Sequence, residues 1–122
     1  MMEPGKLKNG LLNFKGSEVF YQYEVLWVEF VYTEGIKFLC DNAECYWLMN
    51  LIASWQHEIK EEDRVFQVWE LKKVTGNGWL VLCTDGNNRE LCRQELAYSD
   101  FPLPGIIVWL VDGGVLMLPY EY

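Results

Sequence analysis

Four cysteines, one histidine and a scatter of carboxylates are the side chains of this sequence with the means to do chemistry. The sulfur spacings are Cys40-x4-Cys45 and Cys83-x8-Cys92. Structural zinc sites are usually built on closely spaced pairs held in a turn. Here the first pair lies across a predicted helix junction, and the second falls on opposite arms of a predicted hairpin. Each cysteine therefore reads as a small buried hydrophobe, and no metal is expected. His57 has no second histidine and no Cys-His, Ser-His or Glu-x-x-His pattern around it, so a nucleophilic triad has no foundation. Near the end of a predicted helix, it suits the negative end of the helix dipole instead. Carboxylate pairs such as Glu24 with Glu29, or Glu95 with Asp100, could hydrolyse a glycosidic bond only at separations that sequence does not define. Gly35, Gly86, Gly113 and Gly114 fit neither G-x-x-x-x-G-K-S/T nor G-x-G-x-x-G, so no nucleotide cofactor has a seat. The chain reads as non-enzymatic, with no cofactor.

The elements that would position these residues follow from hydrophobic period. Ile36, Leu39, Cys40, Trp47, Leu48, Leu51, Ile52 and Trp55 recur at three- and four-residue steps, the spacing of helices with one broad face on a core. Thr33 is the expected N-cap of a first helix to about Asn42, and a second runs from about Ala43 through His57. Trp47, Leu51 and Trp55 are its expected buried face. Phe20 to Tyr32 favours strand. After Arg64 the period changes, and strands are predicted at 65–74, 79–84, 90–98, 106–111 and 115–118. Turn residues Gly76-Asn77-Gly78, Asp85-Gly86-Asn87-Asn88 and Asp112-Gly113-Gly114 separate them. Residues 1–13 read as a flexible lead-in, and 14–122 as a single α+β domain. In that domain two helices pack on one face of a mostly antiparallel four- to five-stranded sheet.

Length and composition agree with one domain: 122 residues, 51% hydrophobic and 16% aromatic, suffice for a core without disulfides. The formal net charge is −8, and residues 18–63 hold ten acidic residues against Lys37 and Lys60. Such a field repels phosphates, so direct nucleic-acid binding is not expected. An acidic face would instead serve solubility or suit a basic protein surface. Leu11–Leu12 is too short an apolar run for a secretory signal, and no run approaches the roughly 20 residues of a membrane helix. A cytoplasmic protein with reduced thiols is expected.

Several segments together resemble a small, uncharacterised domain-of-unknown-function family of bacteria, phages and plasmids. They are Tyr32-Thr33-Glu34-Gly35-Ile36-Lys37-Phe38-Leu39, Tyr46-Trp47-Leu48 with Ile52-Ala53-Ser54 and Gln56, and Phe66-Gln67-Val68-Trp69. Tyr98-Ser99-Asp100-Phe101-Pro102-Leu103 and Gly114-Val115-Leu116-Met117-Leu118-Pro119, closing on Glu121-Tyr122, complete the set, which spans about 14–122. Asn50 stands where the family pattern usually has an acidic residue, which weakens a carboxylate role there. The family has no assigned catalytic residues, so none carries over. The resemblance implies a mobile-element protein that binds and blocks a host protein in the bacterial cytoplasm.

The expected function is accordingly a non-enzymatic inhibitor or adaptor, anti-CRISPR-like, whose partner is a basic, nucleic-acid-binding defence effector. Glu24, Glu29, Glu58, Glu61, Glu62 and Asp63 are the candidate contacts, with Tyr120 and Tyr122 as an aromatic tip. Two other classes remain open: a small enzyme or ligand-binding domain with an aromatic pocket, and a homo-oligomeric module, such as a homodimer, joined by a sheet edge.

Overall fold

The amino end is helical. In the computed structural model, which describes residues 1–122 except Leu26, Asn77 and Gly113, α1 (Pro4–Leu11) starts on a proline, whose fixed φ suits a first helical position. The Glu3 carboxylate caps it, accepting from the backbone N–H groups of Gly5 and Lys6 at 2.8 and 3.1 Å. Leu7 and Leu11 are buried in the core, so residues expected as a flexible lead-in are part of the folded body. The local signal was weak because two glycines and two lysines share these eight residues, and only tertiary burial of the leucines makes the helix worthwhile.

The aromatic stretch expected as one strand is a hairpin, β1 (Phe20–Val25) with β2 (Val28–Thr33). Its turn passes through Trp27, which adopts a left-handed φ of 67° without a glycine or asparagine to advertise it. Thr33 then caps α2 (Glu34–Ala43), its Oγ1 accepting from the Ile36 N–H at 3.3 Å. A left-handed residue, Glu44 (φ 53°), ends α2 before α3 (Tyr46–Trp55) begins. A short 3-10 turn (Glu61–Asp63) leads into β3 (Phe66–Lys73), β4 (Trp79–Thr84), β5 (Glu90–Leu96), β6 (Gly105–Val111) and β7 (Val115–Met117). The chain closes on a second 3-10 turn, Pro119–Glu121. The glycine-rich turn signals at 76–78 and 112–114 include Asn77 and Gly113, which lie outside the described residues.

All these strands join one sheet in the order β1-β2-β7-β6-β3-β4-β5, antiparallel except for β2 beside β7. The fold is thus α+β with a mostly antiparallel sheet, but among the described residues it has seven strands and three helices. Nor is the second half a simple meander. β6 crosses back to pair with β3, giving the spatial order β6-β3-β4-β5 of a Greek key. Hairpin signals specify only neighbours in sequence, so this return was invisible to them.

The helices cover one face of the sheet. Gln67, Trp69 and Leu71 of β3, Trp79, Val81 and Cys83 of β4, and Val108 and Leu110 of β6 are buried beneath them. The stripe of α3 that reaches this core is Leu48, Met49, Ile52 and Ala53. Trp47, Leu51 and Trp55, expected at its centre, are half-buried at its margin. The break at Glu44 resets the helical phase, which rotates the buried face by about one residue. The alternate residues of β3, β4 and β6 form the other face, which α2 and α3 leave uncovered and which Lys8, Leu11 and Leu12 of α1 border.

Candidate functional site

Buried polar groups brace the structure around the two candidate surfaces. At the start of α2 the Glu121 carboxylate, 7% exposed, accepts from Thr33 Oγ1 (2.6 Å), the Gly35 N–H (3.2 Å) and the Leu118 N–H (3.0 Å). Its charge sits on the positive end of the helix, which stabilises it there. A Cβ at Gly35 would lie 2.5 Å from the carboxylate oxygen, so only glycine lets the helix approach. Beneath α3, Gln56 and Gln67 exchange amide hydrogen bonds at 2.8 and 2.9 Å, and Trp69 Nε1 donates to Gln67 Oε1 at 2.8 Å.

One side of that glutamine pair opens on a cleft of about 210 Å³ lined by Trp27, Val28, Glu29, Phe30, Gln56, His57, Arg64 and Leu110. It brings the β1–β2 hairpin against the end of α3, and with it two parts of the predicted acidic surface. Glu24 and Glu29 face one another across the hairpin, both exposed. Glu58, Glu61 and Glu62, also exposed, flank His57 and Arg64 in the chain. The Gln56 amide is committed to Gln67 and to the Ile52 carbonyl, and Arg64 Nε to the Ile59 carbonyl. Of the predicted contacts only Glu29 lines the cleft, beside Trp27, which is 94% exposed. Sequence reading missed this tryptophan: with no turn residues to mark the hairpin, it counted as one more strand aromatic.

Other predicted contacts lie elsewhere. Asp63 is half-buried and forms an ion pair with Arg89, so its charge is locally matched. Tyr120 and Tyr122 belong to the uncovered face of the sheet. Tyr122 packs edge-on against Trp109 at 5.5 Å, and Trp109 in turn meets Phe66 at 5.3 Å. Tyr120 lines a groove of about 910 Å³ together with Val68, Glu70, Ile107 and Trp109 of the sheet and Lys8, Leu11 and Leu12 of α1. The acidic residues and the tyrosines therefore do not form one surface.

The four cysteines are buried free thiols. The sulfurs of Cys40 and Cys45 are 4.0 Å apart, and Cys83 faces Cys92 across β4 and β5. The hydrogen bond to Cys45, with burial, pushes the Cys40 thiol well above its ordinary pKa; Cys92 and burial do the same to Cys83. The same contact with Cys83 holds Cys92 below its ordinary value, against its burial. Among the described residues no group of three or more His, Cys, Asp or Glu side chains is placed to hold a metal ion. Among them, too, no helix is long and apolar enough to cross a membrane.

Fold and surfaces together define an α+β domain with one helix-covered sheet face, one open face and an acidic, tryptophan-bearing end. The chain belongs to the family of unknown function DUF6876, whose model matches residues 5–122. No curated protein and no solved structure matches it.

Proposed function

We propose that this chain is a non-catalytic protein-binding module whose acidic end engages a basic surface on its partner, with Trp27 as the anchor. The observation that carries the reading is the exposure of Trp27 on a two-stranded tip that also bears Glu24 opposite Glu29. Tryptophan dominates binding hot spots, and a fully exposed one contributes nothing to its own core. Like charges directly opposite on paired strands are destabilising, a cost that a partner's cations would relieve. Glu58, Glu61 and Glu62 extend the same sign of charge, which steers a basic partner into encounter.

The specific form of the proposal is an antagonist, encoded by a phage or plasmid, of a nucleic-acid-binding bacterial defence effector, acting in the host cytoplasm. The carboxylates would take the place of phosphates in its basic groove. The test is capture of purified CRISPR effector complexes by the wild-type protein, Trp27→Ala, and Glu24→Lys with Glu29→Lys. Trp27→Ala should weaken capture by about 30-fold or more, the scale of a hot-spot residue. The charge reversal should slow association and flatten its dependence on salt. Equal capture of all three proteins, or of none, overturns the proposal.

A further inference from the structure

The uncovered face of the sheet carries charge in a pattern that fits a copy of itself. An antiparallel sheet with one solvated face ordinarily alternates apolar-in with polar-out. Here two of the outward residues of β4, the strand beside the β5 edge, are half-buried leucines, Leu80 and Leu82. They are flanked by charged columns: Glu70 and Lys72 on β3, Arg93 and Glu95 on β5. Strand register arranges these in two rows, Glu70–Leu82–Arg93 and Lys72–Leu80–Glu95. Each row has one acid and one base on either side of a leucine, and the signs invert from one row to the next.

We infer that this face is the contact surface of a homodimer, in which two sheets pack face to face about a two-fold axis running along β4. Such an axis sets every β3 residue over the β5 residue of its own row in the second copy. Glu70 then meets Arg93, Lys72 meets Glu95, and the leucines of the two copies meet at the centre. Opposite charges coincide at all four flanking positions of these two rows. In the next row, Val68–Thr84–Glu90, Glu90 is already paired with Arg93 of its own chain at 2.7 Å and would lie over Val68 of the second copy. An axis along β3 would instead set Glu70 on Glu70 and Lys72 on Lys72. An axis between β3 and β4 would set the charges of β3 on the leucines.

One other axis, perpendicular to the strands, also matches charges, by setting Glu70 over Lys72 and Arg93 over Glu95. It would bring β6 over β6. The chain end stands on the uncovered face there, with the Tyr122 ring on Trp109 and Tyr120 exposed beside it, which would hold two sheets apart. Face-to-face sheets need to approach to about 10 Å. With the axis along β4, the raised side of each copy lies beyond the partner's β5 edge, and the bare strands close. This surface is on the opposite side of the sheet from α2 and α3, with Lys8, Leu11 and Leu12 of α1 at the margin of its groove beside Glu70 and Lys72.

The test is sedimentation velocity and light scattering on the full chain across a concentration series, with circular dichroism to verify folding. The wild type should reach twice the 14.4 kDa chain mass. Glu70→Arg alone and Arg93→Glu alone should each raise the dissociation constant about tenfold or more, since like charges are then juxtaposed. Combining them should restore the dimer. Lys72→Glu with Glu95→Lys should behave in the same way. Glu70→Lys with Lys72→Glu should break the dimer, whereas the perpendicular axis would preserve it. A wild type that is monomeric at every concentration overturns the inference and leaves the face to another occupant. A dimer indifferent to the single reversals, or one that the paired reversals fail to restore, overturns it equally.

Discussion

The two faces of one sheet have had different histories in this fold. On β3, Gln67, Trp69 and Leu71 point under the helices and are at most 1% exposed, whereas Phe66, Val68, Glu70 and Lys72 point the other way and are half-buried. Both sets are rich in apolar atoms. The difference is what lies above them. The covered face is closed by α2 and α3 and pairs buried polar groups internally, as in the Gln56–Gln67 pair and the Trp69 N–H, with the Tyr23 hydroxyl left without a partner among the described residues. The open face mixes leucine with charge, of which Arg93 is paired with Glu90 on its own strand, so its composition is that of a contact surface rather than of a core. Apolar content alone therefore does not distinguish core from interface; the presence of charged side chains among the leucines does.

Thiol chemistry offers the widest contrast. With the chain monomeric, iodoacetamide should alkylate Cys83 and Cys92 at least about a thousandfold more slowly than in the denatured protein, because access to a core requires opening. A cysteine introduced by Leu82→Cys on the other face, with the four native cysteines replaced, should react at close to the denatured rate. Rapid labelling of native Cys83 would erase the distinction between the faces.

Stability should divide in the same way. Trp69→Ala is expected to cost about 3–5 kcal/mol in a chemical melt, the range for a buried aromatic. Trp47→Ala should cost less, because that ring is half-buried, and Leu82→Ala in the monomer should cost under about 1.5 kcal/mol, since little burial is lost. Equal costs at Trp69 and Leu82 would mean the open face is packed within the monomer.

The tie between the chain end and α2 sharpens the comparison, since it is what draws Tyr122 to the open face. Glu121→Ala should cost about 1–3 kcal/mol by leaving Thr33, Gly35 and Leu118 donors without their acceptor. Gly35→Ala should be damaging alone and much less so with Glu121→Ala, because the carboxylate is what the new methyl strikes. Additive losses in that cycle would contradict the contact.

The smallest effect is expected in acid, at the turn between β4 and β5. Asp85 accepts from the backbone N–H groups of Asn87 and Arg89 at 2.7 and 3.2 Å, and these bonds, Asn87 first, hold its carboxyl below the usual 3.8. A carboxyl lowered on folding contributes stability above its unfolded pKa, and that contribution fades as pH falls through the folded value. Asp85→Asn should therefore lower stability slightly at pH 7 and flatten its decline below pH 3.8. An unchanged acid limb would show that the turn holds without the charge.

Much of this was legible in one dimension. The Thr33 cap, the run of strands after Arg64 and the Asp85–Asn88 hairpin depend on contacts within a few residues, and the sequence carries their signals openly. The acidic residues of the candidate site were visible as composition. Trp27 was not, because the sequence there has no glycine, asparagine or proline to mark a turn. Helix α1 escaped notice for a related reason: its lysines and glycines outweigh two leucines until a core exists to bury them.

What the sequence by itself determined was therefore local: element type, a core without disulfides, and an excess of negative charge between residues 18 and 63. The tertiary structure decided which elements became neighbours. It returned β6 to β3, set β7 parallel beside β2, separated the two tyrosines from the carboxylates, and aligned the charges of β3 and β5 in rows across β4. Local signals act through bonds and caps a few residues long, whereas sheet order is settled by burial summed over the whole chain, which no single window of sequence contains.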